Sequence, residues 1–270
     1  MNNILKKIKQ ILYGRKLFQV FFESLYRISL YGMNIGSGGD VSTSGEMLVL
    51  ERARKYFDKD TIITIFDVGA NKGEYARTII DIFLGKSISL FVFEPSKTAF
   101  SLLKTTMALV PHNVTLINKG LGEKSEVVPL YSNSPGSKLG SIYERVVPGK
   151  AFNEKEEIFL TTIDEFCSAN KISRINFIKL DIEGNELRAL HGAKNMLEAG
   201  NIDIIQFEFG GANIDARTYF RDFWDLLSSN YRLFRVLKDG LQHIPKYDEK
   251  FELFSTTNYV AINKESVKNL

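Results

Sequence analysis

Short apolar segments alternate with segments of mixed polarity over most of the chain after residue 60. Residues 61–68 are β-branched and almost entirely apolar, as expected for a strand buried on both faces of a sheet. Residues 72–84 and 96–110 are predicted helices. The alternation predicts further strands at residues 89–93, 114–117, 175–180, 202–209, 233–237 and 259–262, and helices around 185–199 and 215–229. Repeated strand–helix units predict a doubly wound, mostly parallel sheet in an α/β fold.

Two segments do not fit this alternation. Residues 132–157 contain the pairs Pro135-Gly136 and Pro148-Gly149, and residues 127–131 and 158–161 on either side predict an antiparallel strand pair. Residues 238–255 lie between the last two predicted strands. Long loops in compact domains are usually functional, so both are candidate acceptor-binding elements. Ordinary surface loops are the alternative.

The first part of the chain has a different pattern. Its apolar residues fall at helical spacing, and lysines lie off the apolar face. The apolar positions are Ile4, Ile8, Ile11, Leu12, Phe18, Phe21, Phe22 and Leu25. We therefore divide the chain into a basic amphipathic arm with its linker, residues 1–55, and a Rossmann-like domain, residues 56–270. The arm has two interpretations: residues 1–30 contact an anionic membrane surface or a partner, or the aromatic residues pack on the domain.

Charge is distributed unevenly along the chain. The 270 residues include 35 basic and 32 acidic side chains, a net charge of +3. Residues 1–39 hold six basic residues against one glutamate, or +5, which leaves −2 for the remainder. A nearly neutral domain is not typical of a nucleic-acid enzyme, so we expect no nucleic-acid partner.

Cysteine usage and hydropathy limit the cellular setting. The single cysteine, Cys167, excludes an internal disulfide and favours a reducing cytoplasm. No apolar run approaches the length of a membrane span. We therefore expect a cytoplasmic protein, with peripheral membrane contact through the arm left open.

The loop after the first predicted strand carries the first candidate chemistry. Ligands of open α/β sheets lie beyond the carboxyl ends of the strands. Gly69 permits a tight turn there, and Gly73 permits close approach at the helix start. Ala70 and Asn71 follow Gly69, so the Gly-x-Gly-x-x-Gly pattern of dinucleotide sites is absent. Asp67, before the turn, suits a ligand with an ammonium group, such as the methionine part of S-adenosylmethionine.

Further acidic residues lie at or near the ends of other predicted strands. Glu94 is placed to bind both hydroxyls of a ribose. Asp181 and Glu183 are two residues apart and are expected to face one cleft. Glu208 lies in an otherwise apolar strand, where an unpartnered acid is costly. Asp181, Glu183, Glu208 and His243 are the candidate general bases, and the three acids could instead hold Mg²⁺, to which we do not commit.

Several of these residues lie in segments that resemble the FkbM family of S-adenosylmethionine-dependent methyltransferases. The segments are FDVGANKG (66–73), VFEP (92–95), and IKLDIEGNE (178–186) followed by LHGA (190–193). The resemblance extends over about residues 61–210. It implies a class I methyltransferase with a seven-stranded Rossmann-like sheet. It also implies O-methylation of hydroxyl groups, commonly on sugars of glycans, glycolipids or glycosylated natural products.

The resemblance also assigns individual residues. The turn after the first strand would surround the methionine moiety, Glu94 would hold the ribose, Gly120 and Leu121 would border the adenine, and Asp181 would lie below the sulfonium. The full set of implied cofactor residues is Asp67, Gly69, Ala70, Asn71, Gly73, Glu94, Pro95, Gly120, Leu121 and Asp181. The candidate catalytic residues are Asp181, Glu183 and Glu208.

The sequence therefore predicts an O-methyltransferase that uses S-adenosylmethionine and acts on a hydroxyl of a sugar or glycan. One alternative is an NAD-dependent sugar oxidoreductase or epimerase, which the missing pyrophosphate glycine disfavours. The other is a non-catalytic, membrane-docked Rossmann scaffold. The presence of Asp67, Gly69, Glu94 and Asp181 together disfavours it, because a site without function has no physical reason to keep them.

Overall fold

A sheet of eight strands forms the centre of the computed structural model, which describes residues 11–36, 44–57, 62–110 and 113–266. The strands of the chain are β1 (Ile63–Val68), β2 (Ile88–Phe93), β3 (Val114–Ile117), β4 (Gly120–Leu121), β5 (Glu126–Ser132), β6 (Glu154–Thr161), β7 (Ile175–Leu180), β8 (Ile202–Phe209), β9 (Tyr231–Val236), β10 (Leu241–Ile244) and β11 (Thr257–Asn263). The order in the large sheet is β3-β2-β1-β7-β8-β11-β9-β10.

The predicted topology is confirmed, with one additional strand. Strands β3, β2, β1, β7 and β8 pair in parallel, whereas β11 pairs antiparallel with both β8 and β9. The eighth strand, β10, pairs antiparallel with β9 at the sheet edge. It lies within residues 238–255, which we expected to be a loop, so the predicted count of seven was one too low. Its sequence, LQHI, is too short and too polar to be distinguished from a loop.

A second, three-stranded sheet has the order β4-β6-β5. Strands β5 and β6 pair antiparallel, with Val128 opposite Ile158, which confirms the predicted pair at residues 127–131 and 158–161. Residues 133–153 connect them and are called the insert segment below. Ser132 and Glu154, the residues on either side of the insert segment, pair with each other, so the small sheet holds both of its ends.

Helices cover both faces of the large sheet. They are α1 (Gln19–Gly32), α2 (Glu46–Tyr56), α3 (Glu74–Ile82), α4 (Lys97–Thr106), α5 (Ile163–Ala169), α6 (Glu186–His191), α7 (Lys194–Glu198), α8 (Ala212–Ala216) and α9 (Phe220–Leu227). Buried residues of α2, α3 and α4 form one apolar cluster with Ile63 and Ile65 of β1. Buried residues of α5, α6 and α9 form a second apolar cluster with Phe66 and Val68 of β1. Alternate residues of one strand thus enter opposite cores, as a doubly wound sheet requires.

Helix α2 belongs to the sheet domain rather than to the arm. Its residues Val49, Leu50 and Ala53 are completely buried. The helix follows Gly45, which has a φ of +92° and whose added Cβ would lie 2.1 Å from the carbonyl oxygen of Leu237. The predicted boundary after residue 55 therefore falls inside a helix of the domain.

Helix α1, in contrast, contributes no buried residue. The interpretation in which the arm packs its aromatic residues on the domain is therefore wrong for Gln19–Gly32. The first part of the predicted arm, residues 1–10, lies outside the described residues. Among the helices that the structure describes, none combines the length and the apolar character needed to cross a bilayer.

Candidate functional site

Two adjoining cavities lie at the carboxyl ends of the parallel strands, where the sequence predicts a ligand. The narrow cavity, of about 50 Å³, is bordered by Glu94, Pro95, Gly120 and Leu121 and, from the insert segment, by Ser137, Lys138, Gly140 and Ile142. The wide cavity, of about 650 Å³, extends from the turn after β1 to the end of β8. Both are lined by Gly69, Asn71, Lys138, Asp181 and Glu183. The two cavities are therefore halves of one site that meet at the ends of β1 and β7.

The turn after β1 is held tightly against the end of β7. Gly69 has a φ of +85°, and a Cβ added to it would lie 1.9 Å from the carbonyl oxygen of Asp181. The backbone N–H groups of Gly69 and Ala70 both donate to the carbonyl of Phe93 at 3.0 Å. The tight turn predicted at Gly69 is thus present, and any larger residue would collide with backbone.

Gly73 permits close approach of a neighbouring helix at the start of α3. It has a φ of +87°, and an added Cβ would meet the side chains of Met107 and Leu103 at 2.6 and 2.7 Å. The glycine lets α3 pack against α4. Gly73 lines neither of the two cavities described above.

Glu94 presents a fixed carboxylate to the narrow cavity. One carboxylate oxygen accepts a hydrogen bond from the backbone N–H of Asn71 and the other from that of Ser96, both at 2.8 Å. Burial raises the pKa of Glu94 to about 7, although these two hydrogen bonds oppose the shift. The side chain is therefore rigid and titrates near neutrality.

Asp67 does not reach either cavity. The residue is completely buried, and neither of its carboxylate oxygens has a hydrogen-bond partner of normal geometry among the described residues. Burial raises the pKa of Asp67 to about 7 in spite of the nearby Lys179 ammonium. The predicted contact of Asp67 with an ammonium group of a ligand is not supported by this enclosed position.

Because of this burial, Asp67 is expected to make stability depend on pH. An aspartate of the unfolded chain has a pKa of about 4. Its folded-state pKa of about 7 is raised, so the folded state binds the proton more tightly. The stabilisation is fully present below pH 4 and is lost as the pH rises to 7, by at most about 1.4 kcal/mol per pH unit.

Denaturant unfolding of wild type and Asp67→Asn between pH 4 and 8 measures this effect. The free energy of unfolding of the wild type should fall relative to that of Asp67→Asn up to pH 7 and run parallel above it. Asp81→Asn, at an exposed position of α3, is the matched control. A constant difference between wild type and Asp67→Asn across this range would contradict the buried, titrating carboxyl.

Lys179 lies at the centre of a buried charge cluster that sequence reasoning missed. Its Nζ lies 2.8 Å from a carboxylate oxygen of Asp181, 3.7 Å from one of Glu46 and 4.4 Å from the centre of the Tyr75 ring. Burial lowers the pKa of Lys179, but Asp181, Glu46 and Asp67 outweigh it and the pKa is raised. The sequence does show a lysine inside the apolar strand Ile175–Leu180. Because a buried ammonium needs carboxylate partners, this lysine could have predicted the cluster.

Glu46 reaches this cluster from the start of α2, a helix that the sequence division assigned to the arm. It accepts hydrogen bonds from Gln206 Nε2 at 2.7 Å and from the Ser44 hydroxyl at 2.9 Å. Burial raises the pKa of Glu46, and Lys179 opposes the shift. Residues far apart in the sequence thus fix the base of the wide cavity.

The three candidate catalytic acids are brought together, but in different surroundings. Asp181 lines both cavities, and its side chain, paired with Lys179, is still 36% exposed. Glu183 also lines both and is paired with Arg145; burial raises its pKa to about 8. Glu208 lines the wide cavity, and burial, with the charges of Asp181 and Glu183, raises its pKa well above the usual range. Asp181 is the acid with an accessible carboxylate at the junction of the cavities.

The loop after β7 is fixed by Glu186, the first residue of α6. The two carboxylate oxygens of Glu186 accept hydrogen bonds from the backbone N–H groups of Ile182 and Gly184 at 2.9 and 3.0 Å. Glu183, within this loop, adopts a φ of +52°, a strained conformation for a residue other than glycine. Buried hydrogen bonds therefore hold Asp181 and Glu183 in position.

His243, considered as a general base, lies apart from the three candidate acids. It is on the edge strand β10 beside Phe234, three strands away from β8. Within the described ranges, no group of three or more His, Cys, Asp or Glu residues has the arrangement of a metal site.

The insert segment covers the narrow cavity. Asn71 Nδ2 donates to the carbonyl of Gly136 at 3.2 Å, the Ser141 hydroxyl donates to the carbonyl of Glu183 at 2.7 Å, and Lys138 is paired with Glu74 at 2.7 Å. Arg145 of this segment is the partner of Glu183 and lies 3.9 Å from Asp215. Residues 238–255, the second candidate acceptor-binding segment, line neither cavity.

Comparisons with known proteins found a family model and a relative that match this chain. A family model described as the methyltransferase FkbM domain matches residues 67–236. The hexuronic acid methyltransferase AglP of Haloferax volcanii is 25% identical over 173 residues, which are 62% of this chain and 64% of AglP. The match thus spans less than two thirds of that relative.

Solved structures of methyltransferases also resemble the fold. The methyltransferase FkbM from Methylobacillus flagellatus KT is 21% identical, with a TM-score of 0.46 over 74% of this chain and 43% of that chain. The M. capricolum TrmK, solved with S-adenosylhomocysteine, is 12% identical, with a TM-score of 0.40 over 80% of this chain and 68% of that chain.

Proposed function

The chain belongs to the FkbM methyltransferase family, and from this premise we propose that it transfers a methyl group from S-adenosylmethionine to a hydroxyl group of a saccharide. The observation that carries the proposal is the junction of the two cavities at Asp181, together with the Glu94 carboxylate, which lines the narrow cavity and not the wide one. A donor and an acceptor bound in adjoining cavities would meet at this carboxylate.

The residues of the narrow cavity fit the nucleoside part of S-adenosylmethionine. Glu94 would accept hydrogen bonds from the two ribose hydroxyls, and Gly120 and Leu121, with Pro95, would border the adenine. Gly69, Ala70 and Asn71 would surround the methionine part. When bound, this cofactor supplies an electrophilic methyl group on a sulfonium sulfur.

The narrow cavity is small for a nucleoside. The narrow cavity holds about 50 Å³, whereas cavities for ligands of this size hold at least about 300 Å³. Several of the contacts that hold the segment down, such as the hydrogen bond from Asn71 to Gly136 and the exposed ion pair of Lys138 with Glu74, are individually weak. We infer that the segment opens for binding and closes over the nucleoside.

On the acceptor side, Asp181 would accept the proton of the attacking hydroxyl. The Lys179 ammonium, 2.8 Å away, compensates the negative charge of this carboxylate. Burial raises the pKa of Glu208, and in its protonated form this residue would donate a hydrogen bond to a further sugar oxygen. Arg145 holds Glu183 at the cavity wall.

A saccharide fits the wide cavity because its wall is rich in carboxylates and cations that bind hydroxyl groups. The relative AglP, named as a hexuronic acid methyltransferase, supports a sugar acceptor. No observation on the site favours an NAD-dependent oxidoreductase, since the turn at Gly69 lacks the glycine that would lie beneath a pyrophosphate.

Transfer of a labelled methyl group tests the proposal. The protein is incubated with methyl-tritiated S-adenosylmethionine and a panel of neutral hexosides, amino sugars and uronic acid glycosides. We expect label in a saccharide product that is stable to mild alkali, because a methyl ether on a hydroxyl resists hydrolysis. Label released by alkali as methanol would mark a carboxyl ester and overturn the hydroxyl assignment. No transfer to any saccharide would contradict the acceptor class.

A further inference from the structure

The described part of the arm, residues 11–33, exposes an unusually large apolar surface. Over residues 11–33, ten large apolar side chains are each at least 39% exposed: Ile11, Tyr13, Leu17, Val20, Phe21, Leu25, Tyr26, Ile28, Tyr31 and Met33. Monomeric soluble proteins rarely leave contiguous apolar patches larger than a few hundred Å² in water. This surface therefore calls for a partner that removes it from water.

The charges and aromatic rings of the arm fit an anionic lipid surface. In the described part, Arg15, Lys16 and Arg27 oppose the single Glu23. The sequence before it adds Lys6, Lys7 and Lys9. Basic helices with aromatic residues lie in the headgroup region of anionic membranes, where the rings enter the acyl boundary and the cations bind phosphates. At 1.5 Å per residue, the 14 residues of α1 span about 21 Å, which suits a helix lying in the interface.

The arm is fixed to the domain at the rim of the wide cavity. After α1, the backbone N–H of Gly36 donates to the carbonyl of Thr256 at 3.0 Å. Asn34 Nδ2 donates to the carbonyl of Val236 at 3.1 Å, and Ile35 is buried. Thr256 itself lines the wide cavity. A membrane that binds the arm would therefore lie next to the wide cavity, where the acceptor is proposed to bind.

We propose that residues 11–33 lie on an anionic membrane surface and that the acceptor is a membrane-anchored saccharide, delivered into the wide cavity from that surface. The inference rests on the proposed function for its saccharide. The membrane contact itself rests on the exposed arm and on its attachment beside Thr256. A second copy of the chain and a protein partner are the competing occupants of the apolar surface.

Sedimentation of the full chain with vesicles tests the membrane contact. Vesicles contain phosphatidylglycerol and phosphatidylcholine in equal amounts, or phosphatidylcholine alone. The test variant is Phe21→Gln, Leu25→Gln, Ile28→Gln. The matched control, Leu84→Gln, Leu109→Gln, Val127→Gln, removes the same number of exposed apolar side chains from the domain. We expect wild type and control to bind the anionic vesicles and the arm variant to partition roughly tenfold or more weakly.

A charge variant, Arg15→Glu, Lys16→Glu, Arg27→Glu, is expected to lose binding to the anionic vesicles as well. Equal binding by wild type and the glutamine arm variant would overturn the proposal. Failure of the wild type to bind, with a dimer that the arm variant converts to a monomer, would assign the surface to a second copy and overturn it too.

The acceptor part of the inference has its own readout. With a glycolipid in the anionic vesicles, the arm variant should methylate at least about tenfold more slowly than wild type, in line with its lower partitioning. Its affinity for S-adenosylhomocysteine and its rate with a soluble saccharide should be unchanged. Failure of the wild type to bind S-adenosylhomocysteine would instead contradict the proposed function. Failure of the membrane inference and failure of the proposed function are therefore distinguishable. An equal rate of both proteins on the glycolipid would overturn the membrane-anchored acceptor.

Discussion

Replacing Asp181 by asparagine is expected to lower kcat for methyl transfer by about 10²–10⁴-fold, the usual contribution of a general base. Asparagine keeps the shape of the side chain and an oxygen that can accept a hydrogen bond from Lys179. In the wild type, Lys179 Nζ lies 2.8 Å from the Asp181 carboxylate oxygen. It cannot accept a proton from the attacking hydroxyl. Glu46, at 3.7 Å, still compensates the Lys179 ammonium, so the variant is expected to fold.

The measurement is single-turnover methyl transfer together with the affinity for S-adenosylhomocysteine. The affinity should stay within a few-fold of wild type, because the lost interaction belongs to the acceptor side of the site. Glu183→Gln and Glu208→Gln are the comparison variants. Arg145 already engages the carboxylate of Glu183, and burial raises the pKa of Glu208, which favours its protonated form. A larger loss of kcat in either variant than in Asp181→Asn would show that the base is assigned to the wrong residue.

Replacing Glu94 by glutamine is expected to weaken binding of S-adenosylhomocysteine by about 10–100-fold, since hydrogen bonds to a charged acceptor are worth about 1.5–3 kcal/mol each. Glutamine offers one oxygen where the carboxylate offers two, and both of these already accept backbone N–H groups. Calorimetric titration measures the loss. Glu51→Gln, at an exposed position of α2, is the matched control and should bind as wild type does.

The pH dependence of the same titration separates the charge of Glu94 from its packing. The ribose hydroxyls donate to the ionised form, and the pKa of Glu94 in the free protein is about 7. Protonation therefore competes with binding, and the affinity of the wild type should fall as the pH drops below 7, by at most about tenfold per unit. Glu94→Gln should lack this dependence. A wild-type affinity that does not change between pH 5 and 8 would contradict the role of the carboxylate.

Much of the fold could be predicted from the sequence, because it depends on local patterns. The apolar runs at the parallel strands are continuous, and the rule that ligands lie at the carboxyl ends of these strands leads directly to Gly69, Asn71, Glu94 and Asp181, all of which line the cavities. Strand β10 escaped prediction because a four-residue edge strand carries no distinctive pattern.

The rest of the site depends on tertiary contacts that no local pattern encodes. Glu46 lies 133 positions before Lys179, and α2 is what brings the two side chains together. Arg145 reaches Glu183 from the insert segment, a stretch without periodicity. Asp67 and Gly73 belong to the same short motif as Gly69, but neither lines a cavity. The carboxyl group of Asp67 is completely enclosed, and Gly73 lies against a neighbouring helix. The motif therefore predicts a loop that lines the cavities but not the direction of each side chain in it.

A calorimetric titration of the wild-type protein with S-adenosylhomocysteine, run beside an identical titration with NAD⁺, tests the proposed function most directly. We expect saturable binding of S-adenosylhomocysteine at a single site and no heat of binding for NAD⁺, because the turn at Gly69 suits a nucleoside with an amino acid tail and not a pyrophosphate. Binding of NAD⁺ with no binding of S-adenosylhomocysteine would contradict the proposed function.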